Sequence, residues 1–336
     1  MTEKILTVII PMYNAKPWIR RCLRSLLVQT RVRPYLEVLV IDDGSADGCD
    51  RIANQMAEEM PGVFRLIQKE NGGHGSAVNC GVSQSSGKYI KVLDADDWMI
   101  TSELEKLLDE LCLLNDPDVV LCAYRTADMR TGKKETVRAA AAGGYVGMEE
   151  LAAHWERYRA VCTFHGIIYR TAFYRQHCKK LPERVFYDDS YYAIVPASHA
   201  AQIYVSRRCL YVYRIGRREQ SVSAENRVRR LSDAGRVITA VCATMQERRS
   251  SFGQKYWKLR TVSLAADYLV TCFLRSGNKR AGRGRARCFM KKLRTHNPVL
   301  ARALRGRYWL LRCMGFLHIK EASFQKLLQV RKNLFG

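Results

Sequence analysis

The chain has 336 residues, of which 47% are hydrophobic, a formal net charge of +24, and twelve cysteines with no CxxC pair. That length holds one large domain or two ordinary ones, and the composition is globular with enough apolar residues for a sizeable core. No stretch of about 18 uncharged apolar residues occurs, so no transmembrane helix is expected, and the scattered cysteines are expected as reduced, mostly buried thiols in a cytosol.

The charge is uneven. Residues 225–336 hold 26 Lys and Arg against 5 Asp and Glu, whereas the first 224 residues hold 30 against 27. This asymmetry predicts a boundary near Ser223, with an α/β domain over 1–223 and a basic helical region over 224–336.

The opening MTEKILTVIIPMYN has a strand-length apolar run and no signal-peptide layout. Residues 7–10 are predicted as a strand. Residues 17–29 are predicted as a helix, with apolar side chains at Trp18, Ile19, Cys22, Leu23, Leu26 and Leu27. EVLVI at 37–41 is a buried strand, DDGSADG a loop and helix start, and 47–60 a helix. A strand at 63–67, a glycine loop at 71–75, a helix at 74–83 and a strand at 89–93 complete the alternation. Short loops between such elements predict a parallel, doubly wound sheet. Ligands of these sheets bind beyond the carboxyl ends of the strands, where DDGS, NGGHG and DADD are all predicted to lie.

Further on, 101–114 is predicted as a helix capped by Thr101 or Ser102, 118–122 as a strand, and 125–147 as a hairpin or irregular excursion. Helices are expected at 151–158 and 171–177 and strands at 164–169 and 203–213, with FYDDSYY opening a helix between those strands. The tail has helical spacing, clearest over 256–274 and 298–316, with the Gly/Arg-rich GNKRAGRGRAR read as the loop between them.

KVLDADDW gathers Asp94, Asp96 and Asp97 within four positions. An oxygen-only cluster suits a hard cation such as Mg²⁺ or Mn²⁺. On an extended backbone Asp94 and Asp96 point alike and share one ion, but a polar loop leading into a capped helix accounts for the same residues. In DDGS, Asp43 is placed to accept from a ribose or base, and Ser45 and Asp47 also suit a helix start. NGGHGS lacks the spacing of a dinucleotide fingerprint or a Walker loop. Its amides either approach a phosphate or sugar or merely turn the chain.

In order, VIIPMYN, VLVIDDGSADG, KENGGHGSAVN and YIKVLDADDW resemble the family-2 glycosyltransferases with the GT-A fold, closely over roughly residues 5–100 and more loosely to about 223. The resemblance implies a GT-A nucleotide-sugar domain followed by the basic helical region. It implies that Pro11, Tyr13, Asn14 and Asp43 hold the nucleoside, with Asn71, Gly73 and Asp94 also on the donor side. It implies that Asp94 and Asp96, bordered by Asp97, hold a divalent metal and the donor diphosphate, with Asp96 the foremost ligand. Val78 stands where many members carry an arginine, so no donor-side arginine contact is expected there. FYDDSYY resembles the family's acidic motif beside the acceptor, which makes Asp189 the general base, with Asp188 in place of the usual Glu. A carboxylate in that role takes the acceptor hydroxyl's proton as it attacks. His165 is implied as an acceptor contact. Arg214, Arg217 and Arg218 either screen the leaving diphosphate or form a solvated basic loop.

The implied activity is inverting transfer from a nucleoside-diphosphate sugar, by family default UDP-linked, to a glycan or lipid-linked acceptor in surface polysaccharide or glycolipid synthesis. The basic tail is read as contacting an anionic membrane surface, through Tyr308–Leu311 and Met314–Ile319 among Arg305, Arg307, Arg312 and Lys320, which would place the protein in the cytoplasm on the inner face of the membrane. A helical bundle with a basic outer face is the plainer alternative. A nucleic-acid-binding protein on a degenerate α/β scaffold is the rival function, although the arginines match no known nucleic-acid module. A nucleotidylyltransferase is disfavoured because PMYNAKPW lacks a glycine-rich loop bearing Lys or Arg.

Overall fold

A computed structural model describes residues 3–141, 143–216 and 224–317. The chain forms two compact units, Met1–Arg217 with Arg248–Tyr256, and Arg218–Glu247 with Trp257–Gly336. The return of 248–256 to the first unit has no counterpart in the charge count. It is tied there by Tyr256, whose hydroxyl donates to the Ala193 carbonyl at 2.8 Å.

The first unit begins with β1 (Leu6–Met12), α1 (Lys16–Arg24), β2 (Leu36–Asp42), α2 (Cys49–Glu59), β3 (Phe64–Gln68), α3 (His74–Gln84), β4 (Tyr89–Val92), β5 (Trp98–Met99) and α4 (Thr101–Leu113). It continues with β6 (Val119–Asp128), β7 (Lys134–Val137), β8 (Gly144–Gly147), α5 (Met148–Ala153), α6 (Trp155–Tyr158), β9 (Ile167–Arg170), α7 (Thr171–His177), α8 (Asp188–Ile194) and β10 (Gln202–Ile215). All seven residues of β1 are buried because both faces of the sheet are covered. Leu6, Val8 and Ile10 join the cluster of α1 and α4 on one face, and Ile9 joins Ala77 and Val78 of α3 on the other.

The sheet order is β3-β2-β1-β4-β9-β6-β10-β5, with β7 on β6 and β8 on β10. β3, β2, β1 and β4 are parallel, as the alternation predicts. Past β4 the sheet is mixed, because β9 inserts antiparallel to both β4 and β6. The stretch expected as a strand from 164 is irregular until Ile167. The Nζ of Lys91 takes the carbonyls of Phe164, His165 and Ile167 at 2.7, 2.9 and 3.1 Å, so these oxygens point at an ammonium instead of a neighbouring strand. β6 and β7 form the hairpin expected within 125–147.

Neither Thr101 nor Ser102 caps α4. Ile100, extended, occupies the cap position without a side-chain bond, and the Thr101 hydroxyl donates to the Ser25 carbonyl at 2.9 Å.

The second unit contains α9 (Ala224–Arg229), α10 (Leu231–Ala243), most of α11 (Ser251–Val270), α12 (Lys279–His296) and α13 (Pro298–Phe316). Leu231, Leu269, Met290, Leu293, Leu304 and Leu311 share its core. GNKRAGRGRAR is therefore not a loop: α12 runs through it, started by Asn278, whose Oδ1 accepts from the Ala281 amide at 2.9 Å. Glycine at 282 serves close approach, since a Cβ there would lie 2.1 Å from the Cys272 carbonyl oxygen.

Candidate active site

Because β1, β2 and β4 are adjacent and parallel, their carboxyl ends bring MYN, DDGS and DADD to one edge. Pro11 is buried in β1 opposite Ile41. Tyr13 is 56% exposed just beyond the strand end. Asn14 accepts from the Ala46 amide through Oδ1 at 2.9 Å and donates its own amide to Ser45 Oγ at 3.0 Å, which ties the first two motifs together.

Asp43 is buried and already engaged. Oδ1 accepts from the Gly72 amide at 2.9 Å and from Lys69 Nζ at 2.7 Å, and Oδ2 accepts from the Gly73 amide at 2.7 Å. Asn71 Nδ2 donates to the Asp43 carbonyl at 2.9 Å. The glycine-loop amides that the sequence offers to a phosphate thus face a protein carboxylate, with Asn71 and Gly73 beside it.

DADD does not stay extended. The Asp97 amide donates to the Asp94 carbonyl at 3.0 Å, closing a turn. The turn brings Asp97, not Asp96, beside Asp94, and with His165 they present ligand atoms all within 4.8 Å of one another. Asp96 lies in the turn and is not part of that group. Asp97 is buried and fixed by Tyr211, whose hydroxyl donates to it at 2.6 Å, and by the Arg214 amide at 2.7 Å. The same Tyr211 oxygen accepts from the Asp94 amide at 3.3 Å. Burial and the neighbouring Asp94 push the Asp97 carboxyl well above its ordinary range. Burial would raise Asp94 too, but its contact with His74 holds it below. His165 lies 4.0 Å, centroid to centroid, from the Tyr213 ring, and burial lowers its pKa to about 4, so the ring is neutral at pH 7. Two carboxyl groups and a neutral imidazole with this spacing fit a divalent cation, which would offset the repulsion between Asp94 and Asp97. Arg214 is buried with its guanidinium 4.2 Å from the Trp18 ring; Arg217 and Arg218 lie outside the described residues.

Asp188 and Asp189 open α8. Asp188 is buried and its Oδ2 meets His74 Nδ1 at 2.7 Å, while His74 Nε2 meets Asp94 Oδ1 at 3.1 Å. Glycine at 75 permits this approach, because a Cβ there would lie 2.3 Å from the Pro182 carbonyl oxygen. Burial would lower the His74 pKa, but Asp188 and Asp94 together raise it well above normal. Burial, then Asp188, push the Asp189 carboxyl up to about 6, the range of a general base at neutral pH. Sequence reading missed His74 and Lys91. The signal for Lys91 was there, a charged residue inside an apolar strand. His74 was read only as part of a glycine loop.

A half-parallel α/β sheet with acidic clusters gathered beyond its strand ends defines a GT-A-type domain. The chain belongs to glycosyl transferase family 2, which it matches over residues 7–181. It is 28% identical over 213 residues to the uncharacterized glycosyltransferase EpsJ of Bacillus subtilis, covering 62% of this chain and 61% of that one. It is 41% identical over 128 residues to the uncharacterized glycosyltransferase YibD of Escherichia coli, covering 38% and 36%. The chain thus spans less than two thirds of these relatives' length. The crystal structure of S. aureus TarS 1–349 with UDP-GlcNAc shares the fold at TM-score 0.56 and 18% identity, over 92% of this chain and 91% of that one. A mannosyltransferase from Pyrobaculum calidifontis in complex with GDP-Man and Mn²⁺ does so at TM-score 0.54 and 19% identity, over 95% and 88%. Family membership favours the transferase over the nucleic-acid-binding and nucleotidylyltransferase readings. Among the described residues, no helix is long and apolar enough to cross a membrane.

Proposed function

We propose that the protein is an inverting glycosyltransferase that moves a sugar from a nucleoside-diphosphate donor to an acceptor hydroxyl. The observation that carries this reading is the link, through one imidazole, between the Asp94–Asp97–His165 group and the Asp188–Asp189 pair. Pro11, Tyr13, Asn14 and Asp43 flank the nucleoside, with Asn71 and Gly73 behind Asp43. Asp94, with Asp97 and His165, holds the metal, Mn²⁺ or Mg²⁺. A bound divalent cation supplies Lewis-acid neutralisation of the leaving diphosphate. Asp96 remains a candidate for the diphosphate side. Asp189 accepts the hydroxyl proton while the hydroxyl oxygen bonds to the anomeric carbon from the face opposite the diphosphate. The bond to the diphosphate breaks with its electron pair, and the configuration inverts. We take UDP as the carrier, by family default and by likeness to a protein crystallised with UDP-GlcNAc.

The test is thermal-shift screening of nucleoside-diphosphate sugars with and without Mn²⁺. A metal-dependent stabilisation by one UDP-sugar is expected. No stabilisation by any such compound with either metal overturns the reading.

The acceptor is a glycan or lipid-linked saccharide of a surface polymer, and a specific observation favours work at an anionic membrane. From Lys279 to Phe316 there are twelve Lys and Arg and no Asp or Glu. Along α13, Val299, Ala303, Gly306, Leu310, Cys313 and Leu317 form an exposed stripe, beside Trp309 and among Arg302, Arg305 and Arg312. An apolar stripe rimmed by cations matches the lipid interface. Tyr308, Leu311 and Met314, which the sequence offers to the membrane, are instead buried in the core of the second unit, and 318–320 lie outside the described residues. We place the protein in the cytoplasm, peripheral on the inner face of the membrane. Co-sedimentation with phosphatidylglycerol vesicles but not phosphatidylcholine vesicles, lost in Leu310→Glu, is the expected result. Equal recovery with both vesicles overturns the placement.

A further inference from the structure

His74 touches both acidic motifs through its two ring nitrogens, at 3.1 Å to Asp94 and 2.7 Å to Asp188. Its ring is held from the side by Phe164, 5.7 Å away between centroids and tilted 58°. Phe164 is itself placed by its carbonyl's bond to Lys91. At its base, the first turn of α3 is pressed against 182–188, where the Arg184 amide donates to the Gly72 carbonyl at 3.0 Å. The imidazole is therefore fixed at both ends and on one face, and its position sets the separation of Asp94 from Asp188.

We infer that His74 is a positioning residue that couples the donor-metal carboxylate to the acceptor-side acidic pair, so that Asp188 contributes to metal–nucleotide binding without touching the metal. This rests on the proposed donor and metal reading. Outer-shell partners that orient a ligating carboxylate change metal affinity by about 10–100-fold when removed. The coupling predicts that Asp188, one hydrogen bond further out, changes it through His74 alone.

The experiment is calorimetric titration of the full chain with UDP in the presence of Mn²⁺, on wild type, His74→Phe, Asp188→Ala and the double variant. His74→Phe keeps a planar ring and loses both nitrogens. It is expected to weaken Mn²⁺-dependent UDP binding at least about 10-fold. Asp188→Ala is expected to weaken it in the wild-type background and to add nothing in the His74→Phe background, the signature of one shared interaction. His74→Gln, which retains one donor, is expected to recover part of the loss, and it carries the same comparison if the phenylalanine variant does not fold. Unchanged UDP binding in Asp188→Ala, or additive losses in the double variant, overturns the coupling and leaves the donor reading standing. A wild type that binds no UDP with Mn²⁺ overturns both.

Discussion

Lys91 reaches His165 at its backbone and not at its ring: the buried ammonium donates to the His165 carbonyl at 2.9 Å. With bonds to Phe164 and Ile167 on either side, one lysine gathers the segment that carries the imidazole to Asp94 and Asp97. Burial lowers the Lys91 pKa to about 7, so the fold retains this group in spite of its desolvation.

Lys91→Met keeps the length of the side chain and removes its three donors. Leaving the buried carbonyls unmet costs about 3 kcal/mol in urea unfolding. His165 also loses its anchor, so Mn²⁺-dependent nucleotide binding is expected to weaken more than in a surface control such as Lys106→Met. Equal binding in the two variants would detach Lys91 from the site.

On the proposed metal reading, Asp94→Asn and His165→Ala are expected to abolish Mn²⁺-dependent stabilisation by a UDP-sugar, because each removes a member of the Asp94–Asp97–His165 group. Asp96→Asn is expected to retain a measurable part of it. The reverse ranking, read by thermal shift across a Mn²⁺ titration, returns the metal to Asp96.

Asp189 gives a pH prediction with a definite sign. A base titrating near 6 makes transfer fall about tenfold per unit as pH drops below that value. Asp189→Asn is expected to lower kcat about 100-fold or more and to abolish this limb.

The same shift has an opposite effect on stability. The folded carboxyl titrates near 6 and the unfolded one near 3.8, so the folded form resists ionisation and loses stability as pH rises from about 4 to 6. Asp189→Asn is therefore expected to melt higher than wild type at pH 7 and equally with it at pH 3.5. A variant less stable than wild type at pH 7 contradicts the strain assigned to this carboxylate.

Two glycines of α12 separate close packing from conformational freedom. Gly282→Ala drives a methyl into the Cys272 carbonyl and is expected to cost about 1–3 kcal/mol. Gly284→Ala meets nothing within 4 Å and is expected to gain about 0.5–1 kcal/mol from helix propensity. Paired melts of the two variants decide it.

The sheet's first half was legible because apolar runs and turn residues alternate there with local regularity. The antiparallel place of β9 was not, since such insertion depends on which distant strand it meets, and its start depends on Lys91, a long-range donor. GNKRAGRGRAR misled because glycine marks both turns and tight helix crossings, and only the Cys272 carbonyl tells which. The acidic motifs were legible as candidates, but their grouping was not. A hydrogen-bonded turn sets Asp97 beside Asp94, and His74 meets Asp188, 114 residues away in sequence.

Asp43 holds the Gly72 and Gly73 amides and Lys69 with both of its oxygens. The wall that the proposed donor reading offers to a nucleotide is thus held by the protein's own hydrogen bonds, and its charge is balanced by Lys69. On the donor reading proposed above, such a wall would act as a gauge, taking a base by fit with little room to mould itself to a different one. Redirecting this protein to another nucleotide would therefore mean rebuilding DDGS and NGGHG as a single part.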